Sequence, residues 1–286
     1  MKMVKNYYCL NGRRISGEVI SFGKLKRGFL YGDGVFETLR AEDYRIFRWD
    51  DHWKRLQKGA DICGFEIAEE GENLRRKIET VLRKNGLDHA YIRISVWRKE
   101  TESFDPGDES RSNVLALVKK HRAYPARFYR EGIRCIVSKT YFKNEKSPLS
   151  CVKTFNYLES ILARGEARKQ GYDDNILLNT EGHLASATVS NLFFVKGKKI
   201  FTPSLDCGIL PGITRKTVLE ICARHGVNSE EGKFLPEDLE SADEVFLTNT
   251  LMSIMPVREI RGVFRGKEFR LAGFLMKELK ARESEG

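Results

Sequence analysis

Two runs of eight residues, AYIRISVW at 90–97 and NVLALVKK at 113–120, read as β-strands, and two amphipathic helix patterns stand directly before them. That order limits the fold more than any other feature, because helices followed at once by paired strands call for a mixed fold in which a sheet carries its helices on a face. The segment between the strands, RKETESFDPGDESRS, is polar and long, in the manner of a lid or a surface excursion. Of the two helices, the first is expected to start with Asp50 or Asp51 as cap and to end near residue 63. Trp53, Leu56 and Ala60 mark its face and Gly64 its stop. The second is expected near 72–84, with Leu74, Ile78 and Val81 as its stripe. Further upstream, YYCL, a turn at Asn11-Gly12, VFETLR at 35–40 and YRIF at 44–47 read as antiparallel strands.

The period is lost in HRAYPARFYRE, 121–131, which places a linker there between a small N-terminal α/β domain, 1–120, and a large C-terminal domain, 132–286. After it the pattern predicts a strand at 133–138, a helix at about 155–170, and strands at 175–179, 191–197 and 199–203. A helix follows Pro211-Gly212 with Val218, Ile221 and Cys222 inward, then a strand at 243–249 and an amphipathic helix near 270–282. The expected class is α/β (α+β), two lobes of largely antiparallel pairing with a cleft between them.

Charge narrows the partners. The 286 residues carry a formal net charge of +10, with basic residues scattered among acidic ones. That is a solvated surface, or attraction for a small anion, and no zinc-finger spacing, basic arm or aromatic-basic repeat points to nucleic acid. The six cysteines, at 9, 63, 135, 151, 207 and 222, form neither CxxC pairs nor a metal-ligand cluster, which suits buried thiols in a reducing compartment. No apolar run has membrane-spanning length and the N-terminus lacks a signal core, so a cytoplasmic chain is expected. The five histidines read as surface or packing residues.

Four stretches could carry chemistry. In GILPGITRKTVLE, 208–220, Thr214 falls in the first turn of a helix, where free N–H groups and the dipole favour an anion; an ordinary capped helix is the alternative. In VKTFNYLES, 152–160, Lys153 sits among apolar residues with Tyr157 four positions on, a setting for a nucleophilic amine or for a snorkelling surface lysine. LYGDGVFETLR, 30–40, is a glycine turn running into a strand, without the third glycine of a dinucleotide fingerprint. DDHWKRL places Arg55 on the first helix.

Taken together with EGHLASATVSNLFFV and LTNTLMSIMPV, these blocks resemble, in order and over nearly the whole length, the fold-type IV pyridoxal-phosphate enzymes. That class contains branched-chain and D-amino-acid aminotransferases and aminodeoxychorismate lyase. The resemblance implies pyridoxal 5'-phosphate as cofactor, a small amino substrate and a homodimer. It implies Lys153 as the lysine that forms the Schiff base and shuttles the proton, and Tyr157 as the phenol on the ring oxygen. Arg55, Ile213, Thr214 and Thr250 correspond to phosphate contacts, and Tyr31, Arg40, Arg93 and Asn249 to the substrate side.

One position departs from the family. Where its members carry a glutamate on the cofactor's ring nitrogen, this chain has Ser186, unless Glu181 swings in from the neighbouring turn. A hydroxyl leaves the ring a shallower electron sink, which suits elimination better than transamination. With TNTLMSIMPV at 248–257 and Thr38 placed for proton transfer, the expectation is a lyase giving p-aminobenzoate and pyruvate on the way to folate. Arg93 in YIRIS keeps a branched-chain character, so the alternative is an aminotransferase of branched-chain or D-amino-acid type.

Overall fold

The structure, a computed structural model, describes residues 7–10, 13–15, 26–101, 103–266 and 268–285. The turn expected at Asn11-Gly12 lies outside them. The chain divides into two compact units: one runs up to Arg122 and takes back Val152–Asn156, and the other holds Ala123–Cys151 and Tyr157–Glu285.

The first unit is built on β1 (Tyr7–Leu10), β2 (Arg13–Ile15), β3 (Gly34–Glu42), β4 (Arg45–Ile46), β5 (Ala90–Arg98) and β6 (Ser112–Lys120). They form one antiparallel sheet in the order β2-β1-β6-β5-β3-β4. The helices are α1 (Lys26–Tyr31), α2 (Trp49–Ile62) and α3 (Gly71–Lys84). Alternation in β5 sends Ile92, Ile94 and Val96 inward, and α2 packs on β3 while α3 packs on β6. Leu56, Ala60, Leu74, Ile78 and Leu82 bury the helical stripes. Each leucine or isoleucine among them contributes about 1.5–3 kcal/mol relative to exposure. The cap of α2 differs from expectation. Arg48, in the left-handed region at φ 56°, holds the N-cap position, and Asp50 and Asp51 fall in the first turn instead. Asp51 there accepts a bond from Arg48 Nη1 at 2.9 Å and complements the helix dipole.

The second unit starts with α4 (Ala126–Glu131), in the segment expected to be a linker; α4 packs on a strand of its own unit. Then come β7 (Ile133–Lys143), α5 (Leu158–Lys169), β8 (Asp174–Asn179), β9 (Leu184–Ala187), β10 (Asn191–Lys196) and β11 (Lys199–Pro203). They are followed by α6 (Ile213–Arg224), β12 (Asn228–Gly232), β13 (Glu244–Asn249), β14 (Ser253–Ile260), β15 (Phe264–Arg265) and α7 (Arg270–Glu285). The main path of the sheet is β12-β11-β10-β13-β14-β7-β8-β9, and a further β9–β10 pairing closes six of these strands into a ring. Closure leaves those six without a free edge. Three pairings, β7–β8, β14–β7 and β11–β12, are parallel. Ile133, Ile176, Leu192, Phe194, Val245, Leu247, Met255 and Val257 belong to one buried cluster, and Phe193 stacks on Phe246 at 5.0 Å.

Helix α5 begins at Leu158, three residues later than expected, because the preceding segment is extended and pairs with β3. Phe36 N donates to Lys153 O at 2.8 Å and Phe155 N to Gly34 O at 2.9 Å, with a bridge between Val35 and Thr154. Lys153 therefore belongs to the first unit.

Candidate functional site

In the first unit the site grows from β3. Its register against β5 puts Phe36 opposite Ser95, Thr38 opposite Arg93 and Arg40 opposite Tyr91, so these side chains share one face. Gly34 lets the strand that carries Lys153 come close: a Cβ there would meet Phe155 and the Val96 carbonyl at 2.7 Å each. The Lys153 amine lies 4.5 Å from the centre of the Phe36 ring. The Arg93 guanidinium lies 3.6 Å from the same centre, and its Nε donates to Ser95 Oγ at 3.2 Å. Two half-buried cations thus share one aromatic ring, and cation–π attraction helps to fix both. Thr38, Arg93 and Lys153 come together here. Arg40 stands at the far end of the row, buried, with its guanidinium 3.6 Å from the Glu42 carboxylate. Tyr31 is 46 % exposed on α1, edge-on to Phe104 at 5.2 Å.

The opposite face of β3 holds an ion cluster. Glu37, fully buried, accepts from Arg55 Nε at 2.7 Å and Nη2 at 2.8 Å, and lies 2.8 Å from His52 Nδ1. Burial raises the Glu37 carboxyl, but the charges and bonds of Arg55 and His52 outweigh it and hold the group well below the usual carboxylate range. Burial pushes the His52 imidazole down, against the pull of Glu37. His52 is therefore not the plain packing residue that its isolated place in the sequence suggests. Neither it nor Glu37 was anticipated; the available signal was the three-residue spacing of His52 and Arg55, which puts both on one side of a helix.

In the second unit a row of paired positions crosses the sheet: Leu177 to Ser186, Ser186 to Asn191, Asn191 to Thr248, and Thr248 to Ile254. The polar crowding at 186–191 has its explanation in this place. Thr188 Oγ1 donates to buried Asp174 at 2.5 Å, and Asn191 Nδ2 donates to Leu210 O at 3.0 Å, just ahead of α6. Ser190 Oγ and Thr248 Oγ1 are buried with no hydrogen-bond partner among the described residues. Ile213 and Thr214 are buried in the first turn of α6, whose N-cap Gly212 has no side chain to satisfy the free N–H groups.

Tyr157 is half-buried at the N-cap of α5, and Thr250 half-buried in the turn after β13. Asn249, expected on the substrate side, has its amide engaged locally: Oδ1 accepts from Leu251 N and Met252 N at 2.9 Å, and Nδ2 donates to Val189 O at 3.3 Å. Ser186 is buried in β9. Glu181 does not take its place; it sits at the surface turn, bonded by Lys233 at 3.0 Å. Among the described residues no group of His, Cys, Asp and Glu could hold a metal ion, and no helix is long and apolar enough to cross a membrane.

Comparison with known proteins gives a consistent result. The family model described as amino-transferase class IV matches residues 34–260. The branched-chain-amino-acid aminotransferase of Salmonella typhimurium is 31% identical over 92% of the chain and 87% of its own length, and that of Escherichia coli 30% identical over the same shares. Among solved structures, the E. coli branched-chain amino acid aminotransferase superposes with TM-score 0.90 at 28% identity, covering 96% of this chain and 93% of that one. The branched-chain aminotransferase of the thermophilic archaeon Thermoproteus uzoniensis, solved with norvaline, gives 0.87 at 29% identity, covering 96% and 93%. A 4-amino-4-deoxychorismate lyase-like protein of Legionella pneumophila gives 0.84 at 26% identity, covering 93% and 96%.

These findings overturn the lyase expectation. The relatives named branched-chain aminotransferases match in sequence across nearly the whole chain. The features that favour elimination are local: the turn after β13 is shaped by the Asn249 amide bonding its own backbone, and Ser186 is a single position in β9.

Proposed function

Because the chain belongs to the class IV aminotransferases, whose family model spans residues 34–260, we propose that it moves amino groups between branched-chain amino acids and 2-oxo acids with pyridoxal 5'-phosphate. The observation that carries the substrate class is full-length likeness, 31% identity over 92% of the chain, to a protein bearing that name.

The residues fit the cofactor. An anion is suited by an uncapped helix start at Gly212, with Ile213 and Thr214 in the first turn, and by two buried hydroxyls, Ser190 Oγ in the bend before β10 and Thr248 Oγ1 on β13, that lack protein partners among the described residues. An aldehyde is suited by an amine on an apolar ring. Arg55, Ile213, Thr214 and Thr250 would hold the phosphate, Tyr157 the ring oxygen and Ser186 the ring nitrogen. The bound cofactor supplies an aldehyde that captures amines and an electron-withdrawing ring.

Every other task falls to the chain. Once the donor's amine has displaced it, Lys153 Nζ would take the proton from the donor's α-carbon and return it to the carbon that had been the cofactor's aldehyde, after which water would release the 2-oxo acid and leave the amino group behind. Phe36 gives that half-buried amine an apolar ring to rest on and helps to hold it in place. Arg93 is a fixed cation on the same face and would receive a carboxylate of the donor or of a dicarboxylic acceptor, with Tyr31 and Arg40 further out. Thr38, beside Arg93 in register, lines this face.

The test mixes the cofactor-loaded protein with leucine, isoleucine or valine and 2-oxoglutarate, and follows glutamate. Transfer from these donors, and weak or no transfer from D-alanine, is expected. Failure with all three branched-chain donors while another amino donor is accepted would reassign the substrate class.

A further inference from the structure

We propose that Asn191 is a positioning residue: it fixes the entry to α6 in register with the sheet, and thereby sets where a phosphate can sit. The proposal rests on the reading that the first turn of α6 takes the cofactor's phosphate.

Three contacts meet at this residue. Its Nδ2 donates to Leu210 O at 3.0 Å, tying down the Leu210-Pro211-Gly212 turn that leads into α6. Its Oδ1 lies so close to Gly212 that a Cβ at that position would fall 2.0 Å from it, far inside contact distance. Its backbone is paired with Ser186 in β9 on one side and Thr248 in β13 on the other. Asn191 is 6 % exposed, so solvent hardly competes for the amide. Gly212 adopts φ −67°, which any residue tolerates; what glycine supplies here is room for Asn191, not a special backbone angle.

The consequence is mechanical. The free N–H groups of a helix start bind an anion only where the helix places them, and the two partnerless hydroxyls, Ser190 Oγ and Thr248 Oγ1, belong to the residue before Asn191 and to its cross-strand partner. One residue therefore joins the helix start to Ser190, its neighbour in the chain, and to Thr248, its partner on β13. Arg215 supports the same turn from another direction, donating to Pro203 O at 2.9 Å and to the Glu231 carboxylate.

The experiment compares dissociation constants of pyridoxal 5'-phosphate and of pyridoxal, measured by absorbance titration of the full chain. Variants are N191A, G212A, the double variant and T214V. N191A is expected to weaken pyridoxal 5'-phosphate roughly ten-fold, the scale of one lost buried hydrogen bond, with pyridoxal nearly unchanged. G212A should produce the same loss by pushing the amide aside, and the double variant should lose no more than the worse single one, since both act through one contact. If N191A does not fold, G212A reads the same contact from the helix side. Equal weakening of both ligands, or additive losses, would overturn the proposal. T214V weakened for pyridoxal 5'-phosphate with N191A and G212A unchanged would remove the positioning role alone; T214V unchanged would remove the phosphate reading and the proposal with it.

Discussion

Replacing Glu37 by glutamine removes one charge and almost no volume, and the structure fixes what that costs. The carboxylate accepts four bonds, two from Arg55, one from His52 and a longer one from the Thr38 backbone N–H at 3.3 Å, in a place with 1 % exposure. In E37Q the carbonyl oxygen keeps one acceptor, while the new NH2 meets donors. Arg55, whose side chain is 11 % exposed, loses its counter-charge. Removing one partner of a buried ion pair costs about 3–5 kcal/mol. At ~2–4 °C per kcal/mol for a chain of this size class, the unfolding midpoint should fall by roughly 6–20 °C. Thermal unfolding of the cofactor-free protein, followed by circular dichroism, reads it. The pH dependence has a definite sign. The folded carboxyl titrates below its ordinary 4.5, so its contribution is complete above pH 4.5 and is lost as pH falls through the lower folded value. The gap between wild type and E37Q should therefore hold constant from neutrality down to about pH 4.5 and close in stronger acid. A variant within about 1 kcal/mol of wild type at pH 7 would refute the reasoning, since that is the scale of an exposed pair. So would a gap that ignores acid.

Other expectations follow from single contacts. T188V leaves Asp174, 2 % exposed, with one fewer donor; a loss of about 1–3 kcal/mol is expected from the urea midpoint, and none would mean water replaces the hydroxyl. Arg27 binds Asp33, Thr101 Oγ1, Ser103 O and Phe104 O, so R27A should speed amide exchange and proteolysis around Phe104, whose ring is 74 % exposed. Unchanged protection there would show that other contacts hold the segment. R93K keeps the charge but loses the planar stack on Phe36, and should raise KM for the dicarboxylic acceptor several-fold with little change in kcat; an equal fall in kcat would place Arg93 in the chemistry instead.

Period and punctuation made much of the fold legible. The stripe Leu74, Ile78 and Val81 and the alternation in 90–97 both correspond to buried faces, because each element buries one side and shows the other. What escaped were features decided at a distance. Residues 155–157 read as the first turn of a helix, but the segment around Phe155 is held extended by bonds to Gly34 and Phe36, more than a hundred residues earlier. Helix α4 is short, with no residue of its own buried, so no hydrophobic period announces it. At the site, the helix start at 213–214 and the strand of Arg93 were readable locally, whereas Glu37 and Asn191 act through partners that only the fold brings near. Substrate class was the least legible, since Ser186, Thr38 and the 248–257 block are local signals, while the likeness that outweighs them is spread over the chain.

All of the proposed chemistry requires that the Lys153 amine capture the aldehyde of pyridoxal 5'-phosphate. Loading the protein with the cofactor, reducing with borohydride and mapping the phosphopyridoxyl group by peptide mass spectrometry addresses it directly. A single modified lysine at 153, absent from K153A, is the predicted result; modification scattered over surface lysines, or equal in K153A, would contradict it.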